Sequence, residues 1–310
     1  MDENALKKAV LSKPAGRDRR QHQQEVQTFL QKHFASRSWE FALPSGSGKE
    51  SYFAHGSESS HFVKLGVEAA IYQAVASTGL TPQVLAAGCL EDGTSIIVQP
   101  YIAGRSPSRR DYRIHLDEFA AAIRKLHHSA EARRVLQKAP SELYRSAGLE
   151  ALARLRERWE RYKIRVPEFS EFVDGSLDHL GQEVRDFEGA GLAASHNDIC
   201  NANWLITPDS RLYLIDLESM SLDDPALDIG ATLWWYYPPE LRTRFLRIVG
   251  HANDQAFEKR MRVRMAMHCL SITLPRELSY DKFSPTSFAG WFTDFKAIVA
   301  GEENPEGYED

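Results

Sequence analysis

The chain has 310 residues, with 38 lysines and arginines against 43 aspartates and glutamates, a formal net charge of -5. That length forms one large domain or two lobes, each with its own core, and a hydrophobic content of 43% with 26% charged residues is that of a globular protein. No run approaches the ~20 apolar residues that span a bilayer, and the charge balance leaves no broad basic footprint for nucleic acid.

The expectation is a cytoplasmic protein with neither membrane nor nucleic-acid partner. The opening MDENALKKAVLSKP has no secretory apolar run, and the three scattered cysteines, Cys89, Cys200 and Cys269, form no disulfide framework.

In chain order, RDRRQHQQEVQTFLQKHF (17 to 34) spaces Val26, Phe29, Leu30, His33 and Phe34 as an amphipathic helix. The period then changes. WEFALP, ESYFAHG and HFVKLG are short aromatic and β-branched runs separated by GSGK and SESS, which predicts three antiparallel strands. GVEAAIYQAVASTGL predicts a helix ending near Gly79, and TPQVLAAGCLEDGTSIIVQ two strands turning at Asp92-Gly93. After a boundary near residue 103 the patterning is helical, interrupted only from about 192 to 218, where RLYLIDLE ends in a short apolar strand. GEENPEGYED closes the chain as an acidic tail with five carboxylates, read as solvated or as an approach for a cationic substrate.

Two local features invite a phosphate. LPSGSGKES (43 to 51) offers glycines, a lysine and hydroxyls, but not the P-loop register, because Gly48-Lys49 is followed by Glu50 and Leu43 stands where the first glycine belongs. The basic cluster GRSPSRRDYR (104 to 113) is read as a solvated loop rather than a phosphate contact.

The chemistry concentrates in SHNDICNANWLITPDSRLYLIDLE. A carboxylate such as Asp198 can accept a hydroxyl's proton. The oxygens of Asn203 and Asp216 suit Mg²⁺, a hard ion, held against nucleotide phosphates. His196, Asp198 and Cys200 could instead be zinc ligands of a hydrolase, but no second Cys/His group completes such a set.

H-x-D-x4-N followed by a strand-terminal aspartate resembles the catalytic segment of the protein-kinase-like small-molecule phosphotransferases, the aminoglycoside phosphotransferase and choline kinase family. LIDLESMSLDDPALDIG resembles its metal-binding segment, and Asp216-Leu217-Glu218 replaces the Asp-Phe-Gly of protein kinases.

The resemblance implies a two-lobed α+β fold in which the side chains named below converge in one cleft. It has a small antiparallel-sheet N-lobe with one main helix (36–103, nucleotide-binding) and a larger, mostly helical C-lobe (104–300, catalytic and acceptor-binding). A helical extension (1–35) and the acidic tail (301–310) flank them. It further implies ATP and Mg²⁺, with Asp198 as the catalytic carboxylate and Asn203 and Asp216 as metal ligands. Ser45, Gly46, Ser47 and Gly48 form the glycine-rich turn over the phosphates. Lys64 contacts the phosphates with Glu68 as its local partner, and backbone atoms of Pro100 and Ile102 meet the adenine. His196 braces the loop.

The implied reaction moves the γ-phosphoryl group to a hydroxyl of a small molecule, an aminoglycoside first, with choline, homoserine, a macrolide or a sugar as alternatives. A nucleotide-binding pseudokinase scaffold is the reading from another class. Asp228 is expected to cap or brace, Asp223 and Asp224 to occupy turns, and LWWYYPPEL (233 to 241) to pack in the core rather than wall a ligand.

Overall fold

A computed structural model describes residues 19–44, 49–275 and 283–310. The chain divides into two compact units, one comprising the sequence up to Gln73 with Pro82–Ile102, the other Ala74–Thr81 with Ala103–Asp310.

The first unit is built on a five-stranded antiparallel sheet. Helix α1 (Arg19–His33) leads to β1 (Glu40–Ala42), β2 (Ser51–His55) and β3 (Ser60–Leu65), and after helix α2 (Ala69–Ala76) come β4 (Ala86–Cys89) and β5 (Ser95–Pro100). The strand order is β1-β2-β3-β5-β4, with Lys64 opposite Ser51 on one side and Ile97 on the other. The turn between β4 and β5 follows its residue types: Asp92 accepts the backbone N–H of Thr94 at 2.8 Å and Gly93 takes a φ of 85°, a conformation that glycine adopts without a Cβ penalty.

The four-residue spacing of Val26 and Leu30 explains why α1 belongs to this core. Both are fully buried among Trp39, Tyr52, Val63, Ile96 and Val98, so truncating Leu30 to alanine costs about 2–5 kcal/mol.

The second unit is mostly helical. It contains α3 (Arg109–Ile114), α4 (Leu116–His127), α5 (Ala130–Val135), α6 (Tyr144–Tyr162), α7 (Ser170–Arg185), α8 (Ala226–Tyr236), α9 (Pro239–Val249), α10 (Gln255–Thr273) and α11 (Pro285–Ala300). Two small antiparallel pairs interrupt the helices: β6 (Ala193–Ser195) with β9 (Ser221–Asp223), and β7 (Trp204–Ile206) with β8 (Leu212–Leu214). The predicted apolar strand is therefore only three residues long and ends before Asp216.

Helix α8 lies close on α10. A Cβ added at Gly230 would come within 2.9 Å of Met261 Cγ and 3.2 Å of its carbonyl oxygen, so glycine sets the separation of the two helices. Among the described residues no helix is long and apolar enough to cross a membrane.

Candidate active site

The loop after β6 is held from beneath by one carboxylate. Asp228, in the first turn of α8 and fully buried, accepts the backbone N–H of His196 and of Asn197, each at 2.8 Å, and the His127 ring nitrogen Nε2 lies 3.0 Å from it. Burial alone would raise its pKa. The hydrogen bond and charge of His127, then His196, outweigh that and hold the carboxyl below the ordinary value. Asp228 stands inside the helix rather than before it, and its oxygens serve the loop, not the helix end.

Asn197 has a φ of 62°, a left-handed conformation that asparagine tolerates better than most residues. Its Nδ2 donates to the Ser219 carbonyl at 3.0 Å and to Ser221 Oγ at 2.8 Å. The His196 ring is 0% exposed and its Nε2 donates to the Ile215 carbonyl at 3.0 Å. That bond ties the loop to the residue preceding Asp216.

Asn203 and Asp216 are joined through the β7–β8 hairpin. The backbone carbonyl of Asn203 accepts Ile215 N–H at 2.9 Å, and the side-chain Nδ2 of Asn203 donates to the Asp198 carbonyl at 2.7 Å. That orientation leaves the amide oxygen facing away from Asp198's backbone. Asp216 follows the hairpin with φ 62° and ψ 57°, a sparsely populated backbone conformation for a non-glycine residue. One side-chain and one backbone hydrogen bond thus link Asp198, Asn203 and Ile215, the residue before Asp216.

Asp198 lines an open cavity of about 500 Å³ in the second unit, with walls that include Trp235, Tyr236, Trp291, Glu306, Glu309 and Asp310. The acidic tail is not solvated strand but a folded-back wall. The Asp310 carboxylate accepts the backbone N–H of Arg109 at 2.6 Å and of Arg110 at 3.1 Å, where α3 begins. Arg109 pairs with Glu306 at 3.0 Å, Arg113 with Glu309 at 2.8 Å and Arg242 with Glu303 at 2.5 Å. Two side chains of the basic cluster, Arg109 and Arg113, therefore hold the tail, while Arg105 and Arg110 are exposed. Arg105 pairs with Asp111, with contacts of 2.5 and 2.8 Å.

The aromatic run packs in the core as expected at Trp234, Tyr236 and Tyr237, which are buried, while Trp235 and Tyr236 also line the cavity, and Tyr236 OH accepts Asn201 N–H at 2.7 Å. Asp224 does occupy a turn, its Oδ1 accepting the Ala226 N–H at 3.0 Å and its carbonyl the Leu227 N–H at 3.1 Å, whereas Asp223 lies in β9. Asp224 is also 0% exposed and pairs with Arg260 at 3.0 Å, while Asp223 pairs with Arg264 at 2.7 Å, pinning α10 to β9. Burial pushes the Asp224 carboxyl up despite the two arginines, because removing a charge from water outweighs their attraction.

Zinc finds no set of ligands: among the described residues no three His, Cys, Asp or Glu side chains are grouped for a metal. The Cys200 thiol is pushed up by burial and by the charge of Asp198, away from the thiolate a zinc site needs.

In the first unit, β3 carries Lys64, which is 6% exposed. Glu68 is exposed and lies in the connection before α2, not on the helix. The Lys49 ammonium donates to the Gly66 carbonyl. Pro100 ends β5 opposite His61, Tyr101 N–H donates to Ser60 at 3.0 Å, and Ile102 follows at the unit's end. Ser45, Gly46, Ser47 and Gly48 lie outside the described residues.

The sequence model of the phosphotransferase enzyme family, APH, matches residues 44–265, which includes both the lysine strand and the Asp198–Asp216 segment. The chain belongs to this family. It is a small-molecule phosphotransferase with the kinase-like fold, and solved structures of that fold superpose on it over most of its length. Choline kinase LicA from Streptococcus pneumoniae is 15% identical with a TM-score of 0.63, the match covering 89% of this chain and 98% of that one. Spectinomycin phosphotransferase APH(9)-Ia, in complex with ADP and spectinomycin, is 14% identical with a TM-score of 0.61, covering 89% and 96%. APH(2″)-IIia with GDP and kanamycin is 13% identical with a TM-score of 0.64, covering 89% and 98%. Within this phosphotransferase, sequence reasoning missed the tail's partners and the β6–β9 pair. The five clustered carboxylates and the four arginines of GRSPSRRDYR were the available signal.

Proposed function

We propose that the protein transfers the γ-phosphoryl group of ATP to a hydroxyl of a small molecule bound in the cavity beside Asp198. The observation that carries this reading is the placement of Asp198 in a cavity wall while its backbone is bonded to Asn203, whose own carbonyl fixes the residue before Asp216. Asp198 would orient the acceptor hydroxyl and take its proton. An amide oxygen and a carboxylate are a hard donor set, so Asn203 and Asp216 fit Mg²⁺. When bound, the ion neutralises phosphate charge. Lys64 would neutralise nucleotide phosphates, with the backbone of Pro100 and Ile102 toward the base.

The cavity favours a cationic acceptor. Its lining carries four carboxylates, Asp198, Glu306, Glu309 and Asp310, against one guanidinium, Arg109, and tryptophan and tyrosine faces attract cations. Spectinomycin, kanamycin and choline, named for the structural neighbours, support an aminoglycoside or amino alcohol.

The test is coupled ADP release with magnesium across aminoglycosides, macrolides, amino alcohols, homoserine and sugars, with Asp198→Ala alongside. Turnover of one acceptor that disappears in the variant supports the reading, and turnover that survives removes Asp198 from its role. The exposed position of Glu68 outside α2 favours a second reading, a nucleotide-binding scaffold. Nucleotide binding with no ADP release above background across the panel would select it.

A further inference from the structure

Two arginines outside the acceptor cavity hold part of its wall. Helix α11 is capped by Gly301, and the segment that follows places Glu306, Glu309 and Asp310 in the cavity lining. The segment has one buried anchor. Asn304, 5% exposed, donates to the Trp234 carbonyl at 3.0 Å and accepts the Glu306 N–H at 2.9 Å.

Beyond that anchor the hold passes to arginine side chains. Arg113, on α3, donates to the Tyr308 carbonyl at 2.6 Å and to both Glu309 oxygens, at 2.8 and 3.0 Å. Arg242, on α9, donates to the two Glu303 oxygens at 3.1 and 2.5 Å and to the Tyr308 hydroxyl at 2.5 Å. That hydroxyl donates in turn to Glu303 at 2.7 Å, and the guanidinium lies 5.6 Å from the centre of the tyrosine ring. Arg109 reaches Glu306 from within the lining, whereas Arg113 and Arg242 are not part of it.

A guanidinium fork fixes a carboxylate in orientation as well as in place. The wall carboxylates stay accessible while held, the side chains of Glu306 and Glu309 being 59% and 87% exposed. One exposed ion pair stabilises little. Several on one short segment act together, because the entropy of placing that segment is lost only once.

Resting on the phosphotransferase reading, we propose that Arg113 and Arg242 are positioning residues: they latch residues 303–310 against the cavity, and this latch sets the affinity for a cationic acceptor. Charge alone predicts the opposite sign. Removing Arg113 leaves the Glu309 carboxylate without its counter-charge, which would tighten a cation if the wall stayed where it is.

The experiment joins hydrogen exchange to kinetics on the full-length protein. In Arg113→Gln, peptides covering 303–310 are expected to exchange about tenfold faster than in the wild type, with those over α8 and α10 unchanged. Coupled ADP release uses magnesium, ATP and whichever of kanamycin, spectinomycin and choline turns over best. The acceptor KM should rise about fivefold, with kcat and the ATP KM within about twofold of the wild type. Arg113→Lys, which keeps the charge without the fork, should fall between the two, and 1 M salt should narrow the ratio of variant to wild type. Arg113 is the cleaner site, because Arg242 also donates to the Tyr237 carbonyl at 3.0 Å; Arg242→Gln should show the same acceptor-selective rise. Unchanged exchange, an acceptor KM that stays or falls, or one that moves together with the ATP KM overturns the proposal.

Failure of the underlying reading looks different. If no acceptor in the panel releases ADP, the phosphotransferase reading fails, and calorimetric titration of kanamycin and of choline into nucleotide-free protein decides the latch by itself. Weaker binding in Arg113→Gln sustains it; equal or tighter binding, or no binding of either, ends it.

Discussion

The carboxylate of Asp228 receives the backbone N–H of His196 at 2.8 Å, thirty-two residues away in sequence. With the Asn197 N–H and the His127 ring on the same group, one buried charge sets the backbone from which Asp198 projects. Asp228→Asn offers only one acceptor oxygen and turns an NH₂ toward a donor. Removing one partner of a buried charged network costs about 3–5 kcal/mol, so a urea midpoint well below that of the wild type is expected, with ADP-release activity falling along with it. A variant of unchanged midpoint would show that the loop holds its shape without this carboxylate.

The same group gives a pH dependence with a fixed sign. Because the folded-state pKa of Asp228 is lowered, its stabilisation is complete above the ordinary carboxylate value near ~4 and is lost as pH falls through the lower folded value. Melting temperatures from pH 6 to pH 2 are expected to fall more steeply for the wild type than for Asp228→Asn over that acid window. Parallel curves would contradict the assignment.

His22 works in the opposite direction. Its ring bridges Glu50 at 2.9 Å and Asp92 at 3.2 Å, tying α1 to the β1–β2 connection and the β4–β5 turn. The Glu50 hydrogen bond raises its pKa against a smaller desolvation effect, and the bond from Thr94 with that from His22 lowers Asp92 to about 2. A raised histidine contributes stability that is fully present below its unfolded pKa, ~6.5, and is lost as pH rises through the folded value. The melting difference between wild type and His22→Gln should thus be present at pH 5.5 and gone by pH 9. These groups are solvent-accessible, so 1 M salt should shrink the difference at pH 5.5.

Magnesium dependence separates the two proposed ligands from the proposed base. Asn203→Ala and Asp216→Asn should raise the magnesium concentration needed for half-maximal ADP release. Asp198→Asn should leave that concentration alone and lower kcat by roughly 10²–10⁴-fold, the usual contribution of a positioned acid–base group. An Asp198 variant whose defect is rescued by magnesium would reassign it to the metal.

How much of this was legible beforehand follows from the range of the interactions. Strand and helix periodicity reports local burial, so α1, β1 to β5 and the helices α4, α6 and α7 could be read from their apolar spacing. The H-x-D-x4-N run and Asp216 stand out as a candidate site because they lie within twenty-one residues of one another. Asp224 could not, since it looks like any aspartate in a turn until Arg260 closes on it from α10. Nor could the partnership of Arg109 with Glu306, residues 197 apart in sequence, because charge runs carry no address. Glu68 is the only acidic residue between Lys64 and Glu91, yet the helix begins after it, at Ala69.

Trp235 offers the sharpest test of how the acceptor cavity is shaped. Its indole Nε1–H donates to Asp294 Oδ2 at 3.3 Å, and Asp294, on α11, is 3% exposed with its other oxygen unpartnered among the described residues. Burial raises the Asp294 pKa, against the opposing hydrogen bond from Trp235. Asp294 does not line the cavity, so it can act only by positioning a ring that does. Asp294→Asn keeps a carbonyl oxygen for the indole and relieves the cost of a buried charge, so its kinetics should match the wild type and its melting temperature should equal or exceed it. Asp294→Ala releases the ring. The acceptor KM should then rise by about tenfold, equivalent to ~1.4 kcal/mol of lost binding, while the ATP KM stays constant and kcat changes less. A role confined to packing would lower the melting temperature of the alanine variant and leave the ratio of the two KM values where it was.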